Sequence, residues 1–359
     1  SKEIEEAIIE DKNTTLFRAE AKFIGERTLK IGKETIKGNK VIIAAGTRPS
    51  VPNIEGLNDV DFMTSDEALR LKKQPKTMTI LGGGYIAAEL AHFYGALGTK
   101  INIIQRGRLL IPNEDMEISQ KFTDIFRKKY NVLTEFDAMK ASKKGKEFIV
   151  AAKGKKQNKN LISDALLVAT GRIPNADILD VKKGNVETDD KGFIKTNGFL
   201  ETTAKNTWAL GDIAGKFLFK HSANLEAQYA YGNAVLNQRV EVDYNAMPHA
   251  IFSSPQVAGV GLREQDLKDK NYAAGRYEFI NSGMGLAMQD NDGFVKIFAD
   301  KKTRKILGCH ILGTDASTLI HEVIVAMKAG LAVDAIQDAV HVHPALSEVV
   351  QRAVNSIEW

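Results

Sequence analysis

The chain is 359 residues long with 43% hydrophobic and 26% charged residues, the make-up of a soluble globular protein with apolar material for two or three domains. Its 49 basic residues against 45 acidic ones are too evenly balanced to argue for nucleic acid, and no run of about 18 apolar residues is present to span a membrane. A single cysteine, Cys309, in the apolar run Ile306–Leu312, reads as a buried structural thiol, and with no signal peptide in view the expected location is the cytoplasm.

Taken in order, the residues through about Glu10 read as a helix, and 15–21 and Thr28–Ile31 as small antiparallel strands. Lys40–Ala45 is a buried strand ending in the tight turn Gly46-Thr47-Arg48-Pro49. A new unit starts with the strand Thr77–Leu81, the turn Gly82-Gly83-Gly84, and a helix whose apolar stripe is Ile86, Leu90, Phe93 and Leu97. A second strand, Lys100–Ile104, completes a right-handed βαβ crossover. A long helix over about Asp115–Tyr130 and a lysine-rich hairpin follow, with 153–159 (KGKKQNK) expected as a solvated turn. The buried strand Ala165–Thr170 then closes on Gly171. Beyond it come the strand Thr207–Leu210, the turn Gly211-Asp212, and a helix over about Ser222–Gln238. Strands at Ala250–Ser253, Val295–Ala299 and Ile306–Leu312 and further helices make an α+β ending. His341-Val-His343-Pro344 precedes a helix expected to start at Pro344, which sets an imidazole five residues before the carboxylate of Glu348.

Leu81-Gly82-Gly83-Gly84-Tyr85-Ile86-Ala87-Ala88-Glu89 fits G-x-G-x-x-A between a strand and a helix. Gly82 permits the tight turn, Gly84 lets backbone approach a pyrophosphate at the helix N-terminus, and Ala87 allows close helix packing. Where an NAD domain usually carries an acid for the ribose hydroxyl, this chain has Arg106 and Arg108, which suit a 2′-phosphate. The reading is therefore NADPH over NADH, the alternative being two arginines that face water. Ala45-Gly46, Thr170-Gly171 and Gly211-Asp212 each follow a buried strand; Asp212 either accepts from a ligand hydroxyl or caps its turn. A carboxylate accepting an imidazole N–H fixes the tautomer and raises ring basicity, so His343 and Glu348 are an acid/base candidate beside ordinary helix capping.

In order, IIAAGTRP, GGGYIAAE, ATGRIPN, TWALGD and HVHPALSE resemble the pyridine nucleotide-disulfide oxidoreductases of the glutathione reductase and dihydrolipoamide dehydrogenase type, over nearly the whole chain. GGGYIAAELAHFYGALG, LLVATGRIPNADILD, FKHSANLEAQ, MGLAMQD and HPALSEVV look most like the mycothione reductase branch. The resemblance implies an α/β fold with two Rossmann-like nucleotide-binding domains, one for FAD and one for NAD(P)H, plus a C-terminal α+β dimerisation domain. The expected bounds are 1–56 as a remnant of the FAD domain, 57–175 for NAD(P)H, 176–243 for the central FAD-binding part and 244–359 for dimerisation. It implies that Ala21, Ala45, Gly46, Thr47, Gly211 and Asp212 line FAD, and that Leu218, Phe219, Lys220 and His221 open a helix aimed at the flavin. It places Gly82, Gly83, Gly84, Tyr85, Ile86, Ala87, Arg106, Arg108 and Gly171 on the pyridine nucleotide, with Glu89 near the nicotinamide. His343 and Glu348 become a proton-transfer dyad delivered to the other subunit of a homodimer.

The family also carries an N-terminal glycine loop for the FAD pyrophosphate and a redox pair of cysteines, and neither is present here, so the expectation is a truncated piece of a longer enzyme, with an incomplete FAD domain, the alternative being a naturally shortened protein. The expected activity is reduction of a low-molecular-weight disulfide by NADPH through FAD, with no metal. Dihydrolipoamide dehydrogenase, running in reverse with NAD, is the alternative. A cysteine-free diaphorase and a non-catalytic nucleotide-binding dimer are the remaining ones.

Overall fold

The computed structural model describes residues 2–359, and the chain divides into two units, each assembled from segments distant in sequence. One joins the residues up to Arg48 with Arg172–Asp243; the other joins Pro49–Gly171 with Tyr244–Trp359. Among the described residues no helix is long and apolar enough to cross a membrane.

In the first unit the helix Lys2–Glu10 precedes an antiparallel sheet of Ala21–Gly25, Thr28–Ile31 and Glu34–Lys37. The strand expected over 15–21 is absent except for Ala21. Upstream, Asp11 accepts from the Asn13 N–H and the Thr14 hydroxyl in a turn, and 15–20 join no sheet. Val41–Ile43 and Thr207–Ala209 are parallel neighbours, with Val41 opposite Thr207, so the turns at Gly46 and Gly211 leave the same edge. The helix after the second turn spans Lys220–Ala234 rather than Ser222–Gln238. It stops early because the Asn233 side chain clasps the returning chain, accepting from the Val240 N–H at 2.7 Å and donating to the Val240 carbonyl at 2.8 Å.

The second unit holds a four-stranded parallel sheet in the order Ala165–Val168, Thr77–Leu81, Lys100–Gln105, Asn131–Thr134. The strand expected to reach Thr170 ends at Val168, and the Thr170 hydroxyl donates to the Ser50 carbonyl instead. The helix Tyr85–Ala96 buries Ala87, Ala88, Leu90, Ala91 and Tyr94. Phe93 and Leu97, expected on its buried stripe, are 52% and 56% exposed. The alanines explain this: small side chains let the helix lie close to the sheet, and the wider residues turn outward. The lysine-rich hairpin is a three-stranded antiparallel sheet, Phe136–Lys144, Glu147–Gly154 and Asn158–Ser163.

Downstream lies a five-stranded antiparallel sheet in the order Pro248–Ile251, Gln256–Gly261, Ile306–Gly313, Phe294–Asp300, Tyr272–Glu278. Two of these strands, Gln256–Gly261 and Tyr272–Glu278, had no sequence expectation. Alternation sends Val295, Ile297, Cys309 and Ile311 into a core with the helices Ala316–Lys328 and Glu348–Asn355, of which Val323, Val349, Val350 and Ala353 are fully buried. That last helix starts at Glu348, four residues later than expected, after a turn over 346–347. On the opposite face one cross-strand row runs His249, Gly259, His310, Lys296, Arg276. It meets the N-terminus of the helix Met116–Lys129, whose N-cap Asp115 accepts from the Glu117 N–H.

Lys296 is the centre of that contact, with Nζ 3.2 Å from Asp115, 3.0 Å from Glu117 and 2.5 Å from Glu264. Burial acts to raise the Asp115 pKa, but the Glu264 N–H and Lys296 outweigh it and hold the carboxyl below its usual range. The stability this gives is present above the unfolded carboxylate pKa and is lost as pH falls through the folded one. Lys296→Ala leaves Asp115, whose side chain is fully buried, without its cation. Urea unfolding should show a loss of about 3 kcal/mol or more; a loss below about 0.5 kcal/mol, the range of a surface change, would contradict it.

Candidate functional site

The glycine turn after Thr77–Leu81 is shaped by close backbone approach. Gly82 has φ +110°, and a Cβ there would stand 2.2 Å from the Ala169 carbonyl oxygen, so only glycine fits where the ends of the strands Thr77–Leu81 and Ala165–Val168 approach. A Cβ on Gly83 would meet the Leu110 side chain at 2.7 Å, whereas nothing lies within 4 Å of one built on Gly84 or Gly171. The turn is packed on its inner side and open at the start of the helix, where a phosphate binds backbone N–H groups; Ala87 is fully buried against the sheet, and Ile86 is half-buried. The residues present therefore fit a pyridine dinucleotide. Glu89, on the same helix, accepts from the Phe252 N–H at 3.0 Å, and burial raises its pKa. The Tyr85 hydroxyl donates to Glu114, and burial followed by that carboxylate pushes the phenol pKa up.

Arg106 and Arg108 sit just past the strand Lys100–Gln105 and line a cavity of about 560 Å³ with Glu135, Asp137, Lys153 and Lys155. The loop expected to be a simple solvated turn thus contributes two further ammonium groups, and the lining holds four cations against two carboxylates. Lys155 is tied to Glu135 at 2.7 Å.

In the first unit, Thr47 donates from its hydroxyl to Asp212 Oδ2 at 3.0 Å, and Arg172 fixes Thr47 by Nε to the hydroxyl at 2.6 Å and a terminal nitrogen to the carbonyl at 2.7 Å. Asn175 donates to the Ala45 carbonyl at 2.8 Å and to the Gly46 carbonyl at 3.1 Å. Gly46 has φ +63° with nothing within 4 Å of a Cβ built there, which leaves its backbone approachable. The N–H of Gly211 is held by the fully buried carboxylate of Glu226 at 2.5 Å, a support that sequence reasoning missed. Leu218, Lys220 and His221 are exposed around the start of the helix Lys220–Ala234, His221 stacks on Phe219 with ring centroids 5.3 Å apart, and no side chain caps the helix. This turn pair, its carboxylate and the helix start fit the ribityl and flavin end of FAD. Ala21 opens the small sheet, half-buried opposite Ile31.

In the second unit, His343 Nδ1 lies 3.1 Å from both oxygens of Glu348. The Ala345 N–H also donates to Glu348 at 3.1 Å; the His343 bond first and this one second hold the carboxyl below its usual range. The Glu348 side chain is 11% exposed and that of His343 75%. A second pair, His341 Nε2 to Glu322 at 3.0 Å, is more enclosed and was not foreseen. Cys309 is fully buried, and burial raises its thiol pKa well above the ordinary value, so it is no nucleophile.

Family models described as pyridine nucleotide-disulphide oxidoreductase and as the dimerisation domain of the same enzymes match residues 2–251 and 247–354. A mycothione reductase of Mycobacterium tuberculosis is 34% identical over 89% of this chain and 71% of its own length. A mercuric reductase of Staphylococcus aureus is 31% identical over 92% and 61%, and a dihydrolipoyl dehydrogenase of Haemophilus influenzae 32% over 90% and 68%. Among solved structures, the HOCl-induced flavoprotein disulfide reductase RclA from Escherichia coli superposes with a TM-score of 0.90 at 25% identity, covering 99% of this chain and 82% of that one.

The dyad makes a prediction that needs no turnover. Because the His343 bond is the chief cause of the low Glu348 pKa, His343→Gln should move the Glu348 carboxyl titration, followed by NMR, upward toward the ordinary glutamate range. An unchanged titration would show that the pairing is not made in solution.

Proposed function

The chain belongs to the pyridine nucleotide-disulphide oxidoreductase family, and from that membership we propose an FAD-dependent disulfide reductase of the mycothione reductase kind, drawing on NADPH. The observation that carries the reading is the His343–Glu348 pair, bonded through Nδ1 so that Nε2 is the nitrogen left to face a substrate. The nucleotide turn at Gly82–Gly84 and residues 57–175 around it hold the pyridine nucleotide in this reading, and Thr47 and Asp212 hold the flavin side. Residues 244–359 form the dimerisation part of a cytoplasmic homodimer. FAD supplies a two-electron carrier between nicotinamide and a redox cystine, and Cys309 is not part of that cystine because it is sealed in the core.

Reducing a disulfide takes two electrons and releases two thiols, so each departing thiolate needs a proton. Glu348 accepts the Nδ1–H, which fixes the tautomer and stabilises the charged ring, and His343 delivers the proton from Nε2 to the thiolate. Delivery to the partner subunit's site completes the proposal. A dihydrolipoamide dehydrogenase working toward NAD is the second reading, favoured by the carboxylates Glu135 and Asp137 beside the arginines and by the Haemophilus influenzae relative.

Two measurements test this. In the enzyme with its redox cystine, His343→Gln should slow turnover of the disulfide by roughly 10²- to 10⁴-fold while flavin reduction by NADPH survives, since hydride transfer does not use this imidazole. Full disulfide reductase activity in that variant would rule out the acid/base role. Replacing Arg106 and Arg108 by alanine should lower kcat/KM for NADPH by roughly 10- to 100-fold and leave NADH nearly untouched; a wild type that works as well with NADH would overturn the NADPH assignment.

A further inference from the structure

We propose that Glu114, His249 and His310 form a binding site for a borderline divalent transition-metal ion such as Zn²⁺. One ligand atom from each residue can be chosen so that all lie within 4.8 Å of one another. The proposal stands apart from the disulfide reductase reading and rests on the sheet register.

His249, Gly259 and His310 are directly opposite one another on three neighbouring strands, so the two imidazoles rise from the same face on either side of a glycine. A Cβ on Gly259 would stand 2.7 Å from His249 Nε2 and 2.8 Å from His310 Nδ1. Both nitrogens therefore converge on the space the absent side chain leaves. Glu114 reaches in from the residue before the Asp115 cap, with Oε2 2.7 Å from His249 Nε2.

His310 points most directly to a ligand. It is fully buried, and its Nε2 donates to the Leu262 carbonyl at 3.0 Å, an acceptor that fixes the proton on that nitrogen. Nδ1 then carries the lone pair, and it is buried with no hydrogen-bond partner. An acceptor in that position is unfavourable until a cation or donor takes the lone pair. Each of two ligands also has its outer support: the Leu262 carbonyl behind His310 and the Tyr85 hydroxyl on Glu114, the arrangement that orients metal ligands. Lys296, next in the row, does not oppose a cation, because Asp115, Glu117 and Glu264 already match its charge. Two imidazoles and a carboxylate favour Zn²⁺, Co²⁺, Ni²⁺ or Cu²⁺ over Mg²⁺ or Ca²⁺. The His249 side chain is 18% exposed and provides the way in.

The test is calorimetric titration of the chelator-stripped, purified full chain with Zn²⁺ alone, repeated optically with Co²⁺. One equivalent should bind. Affinity should fall in His310→Gln by more than the roughly 10- to 100-fold that loss of an outer-shell partner costs, and stay unchanged in Cys309→Ser, whose thiol faces the opposite side of the sheet. No stoichiometric Zn²⁺ binding, or binding undiminished in His310→Gln, would overturn the proposal. Should that variant fail to fold, the wild-type Co²⁺ spectrum decides: d–d bands of a nitrogen and oxygen site without thiolate charge transfer support it, and a thiolate band or an all-oxygen spectrum overturns it.

Discussion

The register of the five-stranded antiparallel sheet is the constraint from which most of the larger unit follows. Period-two alternation divides its residues between two faces that pack against different cores. One face, carrying Val295, Ile297, Cys309 and Ile311, is an apolar floor for two helices; the other carries the row His249, Gly259, His310, Lys296 and Arg276. A slip of one residue would drive Lys296 and His310 into the apolar core and set Cys309 against the acids at the start of the helix Met116–Lys129. The ion pairs of Lys296 with Asp115, Glu117 and Glu264 are thus a consequence of register, and they also penalise the wrong one.

The same floor positions the acid/base pair. Val349, Val350 and Ala353 anchor the helix Glu348–Asn355, so its first residue is held at the edge of a core, and the His343 ring and the Ala345 N–H hold its carboxylate. The imidazole opposite is exposed, which divides the labour between a fixed acceptor and an accessible proton carrier. At the other functional region, the inner side of the glycine turn is closed by the Ala169 carbonyl and Leu110 while the helix start remains open. In both places packing on one side creates the access on the other.

Local features were legible in the sequence where one strong signal acted alone. Thr77–Leu81 emerged with both ends as expected, because the apolar run is cut by three glycines, the first of which, Gly82, takes a positive φ. The Glu348 partner of His343 was legible from spacing, but the helix start was not, since the Glu348 side chain takes up the Ala345 N–H and the helix begins there. Gln256–Gly261 and Tyr272–Glu278 were missed because glycine and alanine give them little strand character; neighbouring strands make them strands. The meeting of Glu114, His249 and His310 depends on a register no single segment encodes. A histidine in the apolar run Ile306–Leu312 was its one visible trace.

The central functional claim is that His343 and Glu348 act as one unit, and a double-mutant cycle on turnover tests it most directly. Rates of disulfide reduction would be compared for the wild type, His343→Gln, Glu348→Gln and the double variant, in the enzyme carrying its redox cystine. If Glu348 acts only through the imidazole, the double variant is no slower than His343→Gln alone. Losses that multiply would contradict the account and give the carboxylate a separate role.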